Sequence, residues 1–229
     1  MLVEIWSDIA CPWCYVGKRR FEAALAAFEH RDEVDVVWRS FELDPDAPFE
    51  RVGDRATRIA EKYGMTIERA RSMERGMVET AAAEGLDFRF DIARSGTTFD
   101  AHRVVHLGAE HGLGDAMKER LLRAYFSEGE LVADHETLVR LAVEVGVGED
   151  EARAAITGDR YATQVRDDER AAAQLGIRAV PTFVVDRAIG VSGAQAPPEL
   201  LQLLREGWEA GSRRPLVAVG ETCATDGCQ

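Results

Sequence analysis

The chain has 229 residues, 46% of them hydrophobic, and its 28 Lys and Arg against 41 Asp and Glu give a net charge of −13. This composition supports a sizeable core and excludes a disordered chain. The excess of acid argues against binding to nucleic acid or anionic lipid, and no apolar run is long enough to span a membrane, so the sequence predicts a soluble protein.

The first part of the chain predicts a strand, a helix and a second strand. Residues 2–6 and 34–38 are short apolar runs of β-favouring residues, typical of buried strands. Residues 12–30 between them carry apolar side chains at the spacing of one helical face, among them Phe21 and Phe28. This order predicts a βαβ unit, with which the sheet begins parallel.

From about residue 54 to residue 176 the pattern is helical. The segment has no proline and contains amphipathic stretches closed by glycine. One predicted helix starts at Thr66 and ends by Gly85, and another has Asp134 as its N-cap. We therefore expect a helical block in the middle of the chain.

The β pattern returns after this block. Residues 182–186 and 188–192 predict a hairpin, and a final helix, with Pro197 and Pro198 in its first turn, ends near Gly211. Neither flank alone has enough strands for a stable core. One sheet interrupted by an insertion therefore explains the order more simply than three domains.

The predicted fold is thus α/β, with a large all-helical insertion between a βαβ half and a ββα half. The interrupted domain comprises residues 1–45 and 177–211, and the insertion comprises residues 46–176. Residues 212–229 are predicted to be a C-terminal tail, which carries a CxxxxC pair.

A redox motif directly follows the first predicted strand. Cys11-Pro12-Trp13-Cys14 opens the first helix, where unpaired N–H groups and the helix dipole should lower the pKa of Cys11. Cys11 is then the nucleophile, and Cys14, one turn further on, attacks the mixed disulfide and releases the partner. Pro12 suits the first helical turn, and Trp13 can pack on a bound partner.

The cysteines leave alternatives open. Cys11 and Cys14 could be inert thiols, or half of a zinc site completed by Cys223 and Cys228, although a strand leading into a helix is typical of redox motifs. An Asp-Gly turn could also join Cys223 and Cys228 as a second redox pair. Otherwise the tail carries two exposed thiols.

A second motif, Val180-Pro181-Thr182-Phe183, leads the predicted hairpin. Together with the CxxC motif and the helical insertion, it resembles the thioredoxin fold of the DsbA-type disulfide oxidoreductases. Further segments are similar to the FrnE-like branch of that family: Ser7-Asp8, Tyr15, Gly17, Phe41-Glu42-Leu43, Ala101-His102-Arg103 and Val191-Ser192-Gly193-Ala194-Gln195. The resemblance covers nearly the whole chain and makes the interrupted domain thioredoxin-like.

The resemblance assigns roles to the segment before the hairpin. It implies that Pro181 is a cis proline facing the CxxC pair, and that Val180 offers backbone groups to a bound peptide or thiol. A cis bond at proline is uncommon enough to indicate a function. Judged without that resemblance, Pro181 could be an ordinary trans residue that starts a strand.

The resemblance also implies that Thr98, His102 and Arg103 line the groove beside Cys11. There an imidazole or a guanidinium would stabilise the thiolate or hold a substrate carboxylate. By spacing alone, His102 and His106 could form a metal pair on one helical face, but no third ligand accompanies them, and packing is the simpler interpretation.

The N-terminus bears on location. An acid at Glu4 and the lack of a basic segment before an apolar stretch are not typical of a secretory signal, so we expect a cytoplasmic protein. The glutathione pool there would hold the dithiol largely reduced, which favours a disulfide reductase or isomerase. A thiol- or disulfide-bearing protein or small molecule is the expected substrate, with no bound cofactor or metal and with glutathione as a candidate co-substrate.

Two other functions remain in view. One is a glutathione-dependent enzyme similar to 2-hydroxychromene-2-carboxylate isomerase or the kappa-class glutathione transferases, which usually have Ser where Cys11 stands. The other is a holdase-like protein that binds peptides in an apolar groove of the helical block. A homodimer is compatible with the sequence, but no pattern demands one.

Overall fold

The computed structural model describes residues 1–212 of the chain. Their sheet has the strand order β2-β1-β3-β4. β1 is parallel to β2 and antiparallel to β3, and β3 and β4 form an antiparallel hairpin. The strands are β1 (Leu2–Ser7), β2 (Asp35–Ser40), β3 (Thr182–Val185) and β4 (Ile189–Ser192).

The helices of the described chain confirm the predicted fold class, since a βαβ half and a ββα half flank a wholly helical stretch. They are α1 (Pro12–Ala26), α2 (Arg55–Tyr63), α3 (Ile67–Ala83), α4 (Phe99–Glu110), α5 (Gly114–Phe126), α6 (His135–Val145), α7 (Glu149–Thr157), α8 (Ala162–Gln174) and α9 (Pro197–Ser212). α1 is shorter than predicted: it ends at Ala26, and a separate 3-10 turn at Arg31–Glu33 precedes β2.

Side-chain caps set several helix starts. The carboxylate of Asp134 accepts from the N–H of Thr137 over 2.8 Å, as the predicted N-cap requires. The hydroxyl of Thr66 accepts from the N–H of Arg69 over 3.2 Å at the start of α3. These caps satisfy donors that have no partner inside the helix.

Alternation along the strands builds the layers around the sheet. Ile5 lies opposite Trp38 on β2 and Phe183 on β3, and the core on that face extends into α1, α9 and the helical stretch. On the opposite face, Trp6 and Val184 pack with α8. Sheet and helical stretch therefore share one core. In the described part of the chain, no helix is both long and apolar enough to cross a membrane.

Candidate active site

Cys11 and Cys14 lie where β1 leads into α1. Cys11 is the N-cap of α1, with an extended backbone, and Pro12 lies in the first turn. The N–H of Cys14 donates to the carbonyl oxygen of Cys11 over 3.0 Å. Both side chains are free thiols, but Cys11 is 4% exposed and Cys14 is 0% exposed, whereas Trp13 is 44% exposed. A partner molecule therefore reaches Cys11 before Cys14.

The loop before β3 faces this dithiol. The Val180–Pro181 peptide bond is cis, as the resemblance implied, and the Cys11 thiol donates to the carbonyl oxygen of Val180 over 3.6 Å. α1 approaches the loop at Gly17, where a Cβ atom would lie 2.8 Å from Cγ of Pro181. The absence of a side chain at position 17 thus permits the close contact between helix and proline ring.

The acidity of Cys11 differs from the expectation. Its hydrogen bond with Cys14 and its burial raise the pKa of the Cys11 thiol well above the ordinary value, and the charge of Asp8 acts in the same direction. The backbone N–H of Cys14 lowers the pKa of Cys11, as a helix N-terminus should. The expected fall in the pKa of Cys11 is wrong, because the hydrogen bond with the Cys14 side chain and burial together outweigh the helix start.

Asp8 joins the loop after β1 to the helical stretch. Its carboxylate accepts from Nε2 of His102 over 3.3 Å and from the N–H of Leu43 over 2.8 Å. Burial alone would raise the pKa of Asp8, but these bonds and one from Thr98 hold it below its ordinary value. Burial lowers the pKa of His102 despite that bond, so Asp8 carries the charge and His102 is a neutral donor.

Lys118 of α5 is buried near the dithiol. Lys118 is only 1% exposed, and its Nζ donates to the carbonyl oxygen of Ser7 over 3.2 Å. Burial lowers the pKa of Lys118 to about 8, while the charges of Cys14, Asp8 and Cys11 act to raise it. The helical stretch thus supplies a cation to the surroundings of both thiols.

The structure does not bring Arg103 into the groove beside Cys11. Its guanidinium pairs with Asp100 over 2.6 Å and donates to carbonyl oxygens in and after α7, those of Ala155, Ile156, Gly158 and Arg160. Carbonyls at a helix C-terminus lack intrahelical donors and attract cations. The predicted place of Arg103 is therefore wrong, because it caps a helix instead.

The two histidines of α4 serve different partners. His102 bonds to Asp8 as described, whereas Nε2 of His106 lies 3.1 Å from the Ser40 hydroxyl and 3.1 Å from the Asp168 carboxylate. Within residues 1–212, no three His, Cys, Asp or Glu side chains are grouped as a metal site requires. Cys223 and Cys228 lie outside the described residues.

A cleft of about 650 Å³ opens beside the site. Asp8, Ala10 and Thr98 line it, together with two further acids, Asp44 and Glu61, and a group of basic side chains, namely Arg51, Arg55, Arg58 and Lys62. Arg51 pairs with Asp44 and Arg55 with Glu74. Arg58 donates instead to the Ser95 hydroxyl over 2.9 Å and to backbone carbonyls. In the described chain it has no carboxylate partner, so the cleft carries a cation suited to an anionic group.

Sequence reasoning missed two of these residues. Asp8 was part of the resemblance but was not selected for the site. Lys118 had a clearer signal, since it lies on the helical face of Leu121, Leu122 and Tyr125, all of which are buried. A lysine on an apolar stripe contradicts the usual pattern of an amphipathic helix.

A CxxC pair at a helix N-terminus, facing a cis-proline loop beside a four-stranded sheet, defines the class of thioredoxin-fold proteins. A family model described as a DSBA-like thioredoxin domain matches residues 2–205. The chain belongs to this DsbA-like family. The finer FrnE-like assignment stays a prediction.

Individual relatives agree with the family. A probable DsbA oxidoreductase from Streptomyces coelicolor is 50% identical, with a TM-score of 0.90 over 100% of this chain and 98% of that one. The cytosolic disulfide reductase DsbM from Pseudomonas aeruginosa is 21% identical, with a TM-score of 0.64 over 92% and 100%. A structure of DsbM with GSH is similar at 22% identity, with a TM-score of 0.64 over 91% and 100%.

Among curated proteins, the uncharacterised protein YwbO from Bacillus subtilis is 27% identical over 185 residues. The alignment spans 80% of this chain and 86% of YwbO. The Streptomyces protein and YwbO are each more than 25% identical to this chain, and both match it along most of their length.

Proposed function

We propose that the protein is a thiol-disulfide oxidoreductase of the reductase or isomerase type. The observation that carries this proposal is the difference between the two thiols, since Cys11 is 4% exposed at the rim and Cys14 is 0% exposed one helical turn behind it. An incoming disulfide meets Cys11 first. The mixed disulfide then lies within reach of Cys14.

The reaction has two displacements. The thiolate of Cys11 attacks a substrate disulfide R–S–S–R′, which forms Cys11–S–S–R and releases R′–S⁻. Cys14, as a thiolate, then attacks Sγ of Cys11, which forms the Cys11–Cys14 disulfide and releases R–S⁻. Each leaving thiolate takes a proton from solvent, and the substrate gains the two electrons that the dithiol loses.

The acidity of Cys11 supports the reducing direction. A dithiol is a strong oxidant when its reduced form is stabilised, commonly as a thiolate. Here the bond with Cys14 and burial raise the pKa of Cys11, so the reduced form gains no such stabilisation at neutral pH. We infer a pair that donates electrons, as a reductase does.

A small anionic thiol such as glutathione is the proposed co-substrate. The cleft beside Asp8 and Thr98 has a volume of about 650 Å³, large enough for a molecule of that size. Arg58, without a carboxylate partner in the described chain, could pair with a carboxylate of the ligand. DsbM, of similar fold, is described both as cytosolic and with GSH, which supports the same ligand and a cytoplasmic location here.

The test is to trap the mixed disulfide. In a background with Cys223 and Cys228 replaced by Ser, Cys14→Ala is incubated with glutathione disulfide and examined by mass spectrometry. We expect one glutathione on Cys11, released by dithiothreitol, because the resolving thiol is gone. Cys11→Ala in the same background is the control and should carry none.

Two results would contradict the proposal. One is a Cys14→Ala protein that forms no adduct at Cys11 under any glutathione ratio. The other is a protein with both Cys11 and Cys14 that keeps glutathione on Cys11 without forming the internal disulfide. The second result would favour the glutathione-dependent isomerase or transferase.

A further inference from the structure

The ammonium group of Lys118 is unusually poor in partners. It has three donors, yet it makes one hydrogen bond, to the carbonyl oxygen of Ser7 over 3.2 Å, and no salt bridge within the described residues. Nζ also lies 5.6 Å from the centre of the Trp38 ring. A buried cation normally has a counter-ion or several acceptors, so this group requires an explanation.

A second buried lysine provides the contrast. Lys18 of α1 is likewise near the Trp38 ring, at 5.9 Å, and its residue is only 2% exposed. Its ammonium group pairs with three carboxylates, those of Glu22, Asp115 and Glu119. The structure therefore neutralises the charge of Lys18 and leaves that of Lys118 without a carboxylate at ion-pair distance.

The charges that act on Lys118 come from three elements. From the loop after β1 and the start of α1, Asp8, Cys11 and Cys14 favour its charged form, and Lys18 disfavours it. From α4, His102 is near enough for the charge of Lys118 to lower its pKa. Asp8 is already bonded to His102, Leu43 and Thr98. Asp8 thus already carries a charge, but it makes no ion pair with Nζ of Lys118 in the described residues, and the two thiols are the further groups whose ionisation would place an anion near that ammonium group.

We propose that Lys118 is the buried counter-charge of the dithiol, which stabilises the thiolate on Cys14 in the resolving step. This inference rests on the proposed function. Once Cys11 carries the substrate, Cys14 must ionise inside the protein at 0% exposure, where solvent cannot stabilise the anion. A cation held nearby lowers the cost of that ionisation.

The step balances without a further reactant. Cys14–SH loses its proton to solvent, and the thiolate attacks Sγ of Cys11 in Cys11–S–S–R. The Cys11–Cys14 bond forms, the bond to R breaks, and R–S⁻ leaves with the electron pair and takes up a proton. At neutral pH Lys118 stays an ammonium group, so it acts on the reacting sulfur only through its charge.

The experiment separates the two displacements. In the Cys223→Ser, Cys228→Ser background, reduced protein is mixed with 5,5′-dithiobis(2-nitrobenzoate) in a stopped-flow spectrometer. Attack by Cys11 releases the first thionitrobenzoate, and resolution by Cys14 releases the second. The rate of the second release is recorded against pH for the unmodified background and three Lys118 variants.

Lys118→Met and Lys118→Gln remove the charge, and Gln keeps a donor for the Ser7 carbonyl, whereas Lys118→Arg keeps the charge. We expect the second release to slow about tenfold at neutral pH in the Met and Gln variants, with the pH profile displaced about one unit upward. Arg should restore the rate at least in part. Met should fold, because Lys118 has no ion-pair partner among the described residues, so its replacement leaves no partner charge buried and uncompensated.

Lys18→Met is the matched control, since it also removes a buried lysine charge but one that disfavours the charged form of Lys118, so its second release should not slow as it does in Lys118→Met. The inference is overturned if Met and Gln resolve as the background does. It is also overturned if Gln restores the rate as well as Arg, since that would assign the effect to the bond with Ser7. In both cases release of the second thionitrobenzoate by the background leaves the proposed function intact, whereas its absence there would contradict that function.

Discussion

At the scale of single residues, the thiol of Cys11 is governed by opposing effects. The start of α1 lowers its pKa through the N–H of Cys14, while the Cys14 side chain and burial raise it. The second group of effects is larger, so the pKa of Cys11 is raised. A thiol at a helix N-terminus is therefore acidic only if the remainder of its surroundings permits it.

This balance predicts the pH dependence of alkylation. Because the pKa of Cys11 is raised, its thiolate fraction is small at neutral pH, and its rate with iodoacetamide should still increase above pH 9. Cys14→Ala removes the largest cause, so its profile should move to lower pH. Peptide mass spectrometry of the labelled Cys11 gives the rates. A plateau below pH 8 in the protein with both thiols would contradict the structure.

The contact between Gly17 and Pro181 predicts a second effect of a single atom. In Gly17→Ala the new Cβ would lie 2.8 Å from Cγ of Pro181, so helix and loop must separate. We expect a loss of about 1–3 kcal/mol in the free energy of unfolding, measured in urea, and slower reaction at Cys11.

Gly76 of α3 provides the matched control, because a Cβ there meets nothing within 4 Å. Gly76→Ala should stabilise the protein by about 0.5–1 kcal/mol, the usual gain for alanine inside a helix. If Gly17→Ala stabilised the protein as Gly76→Ala does, the close approach of α1 to the proline loop would be refuted.

At the scale of elements, the C-terminal end of α7 depends on α4. The guanidinium of Arg103 satisfies carbonyls there that would otherwise be buried without a donor. Arg103→Met should therefore cost about 2–4 kcal/mol of unfolding free energy. Because Arg103 does not line the groove, the folded variant should react at Cys11 as rapidly as the parent.

The control is Arg153, which lies on α7. Arg153 pairs with Glu136 and Glu149 on the surface, where solvent screening leaves ion pairs little effect on stability. Arg153→Met should therefore change the urea midpoint little. If Arg103→Met were as stable as Arg153→Met but its Cys11 reacted more slowly than that of the parent, the helix-capping role would be refuted and Arg103 would belong to the active site as first predicted.

At the scale of the whole molecule, Asp168 of α8 links the helical stretch to the sheet through hydrogen bonds and ion pairs. Its carboxylate accepts from the N–H of Ser40 over 2.9 Å and pairs with Arg39 and His106 at 3.1 Å each. Its backbone carbonyl accepts from the indole of Trp6 over 2.9 Å. One buried side chain thus connects α8 with β2 and α4.

Asp168 makes stability depend on acid. Burial would raise its pKa, but the bonds from His106 and Ser40 and the charge of Arg39 hold it below the ordinary value. Its contribution is complete above the unfolded pKa, near 4, and is lost as the pH falls through the lower folded pKa. Urea unfolding between pH 7 and pH 3 should show this loss, and Asp168→Asn should cost about 1–3 kcal/mol at pH 7.

Asp167 is the control for this prediction, because it is exposed and pairs with Arg170 on the surface. Asp167→Asn should leave both the pH 7 stability and its decrease in acid nearly unchanged. If both substitutions changed the stability at pH 7 and in acid equally, the role of Asp168 in linking helices and sheet would be contradicted.

Features set by residues close together in the sequence could be predicted, whereas features set by contacts of the folded chain could not. Strand alternation, the caps at Thr66 and Asp134, and the CxxC position depend on neighbours in sequence, so they could be predicted. The carbonyl partners of Arg103 belong to residues more than 50 positions away in the chain, and the acidity of Cys11 depends on its burial and on the contact with the Cys14 side chain in the folded site. A pattern of residue types does not specify which carbonyl or thiol a distant helix will meet.

The burial of the dithiol also affects how well the Cys11 thiol resists oxidation under oxidative stress. Peroxides oxidise thiolates that are exposed, and further oxidation to sulfinic acid is irreversible for most proteins. Cys11 is 4% exposed, and burial keeps it mostly protonated. A site that reacts slowly with alkylating agents at neutral pH should thus survive peroxide concentrations that would inactivate an open, acidic thiol.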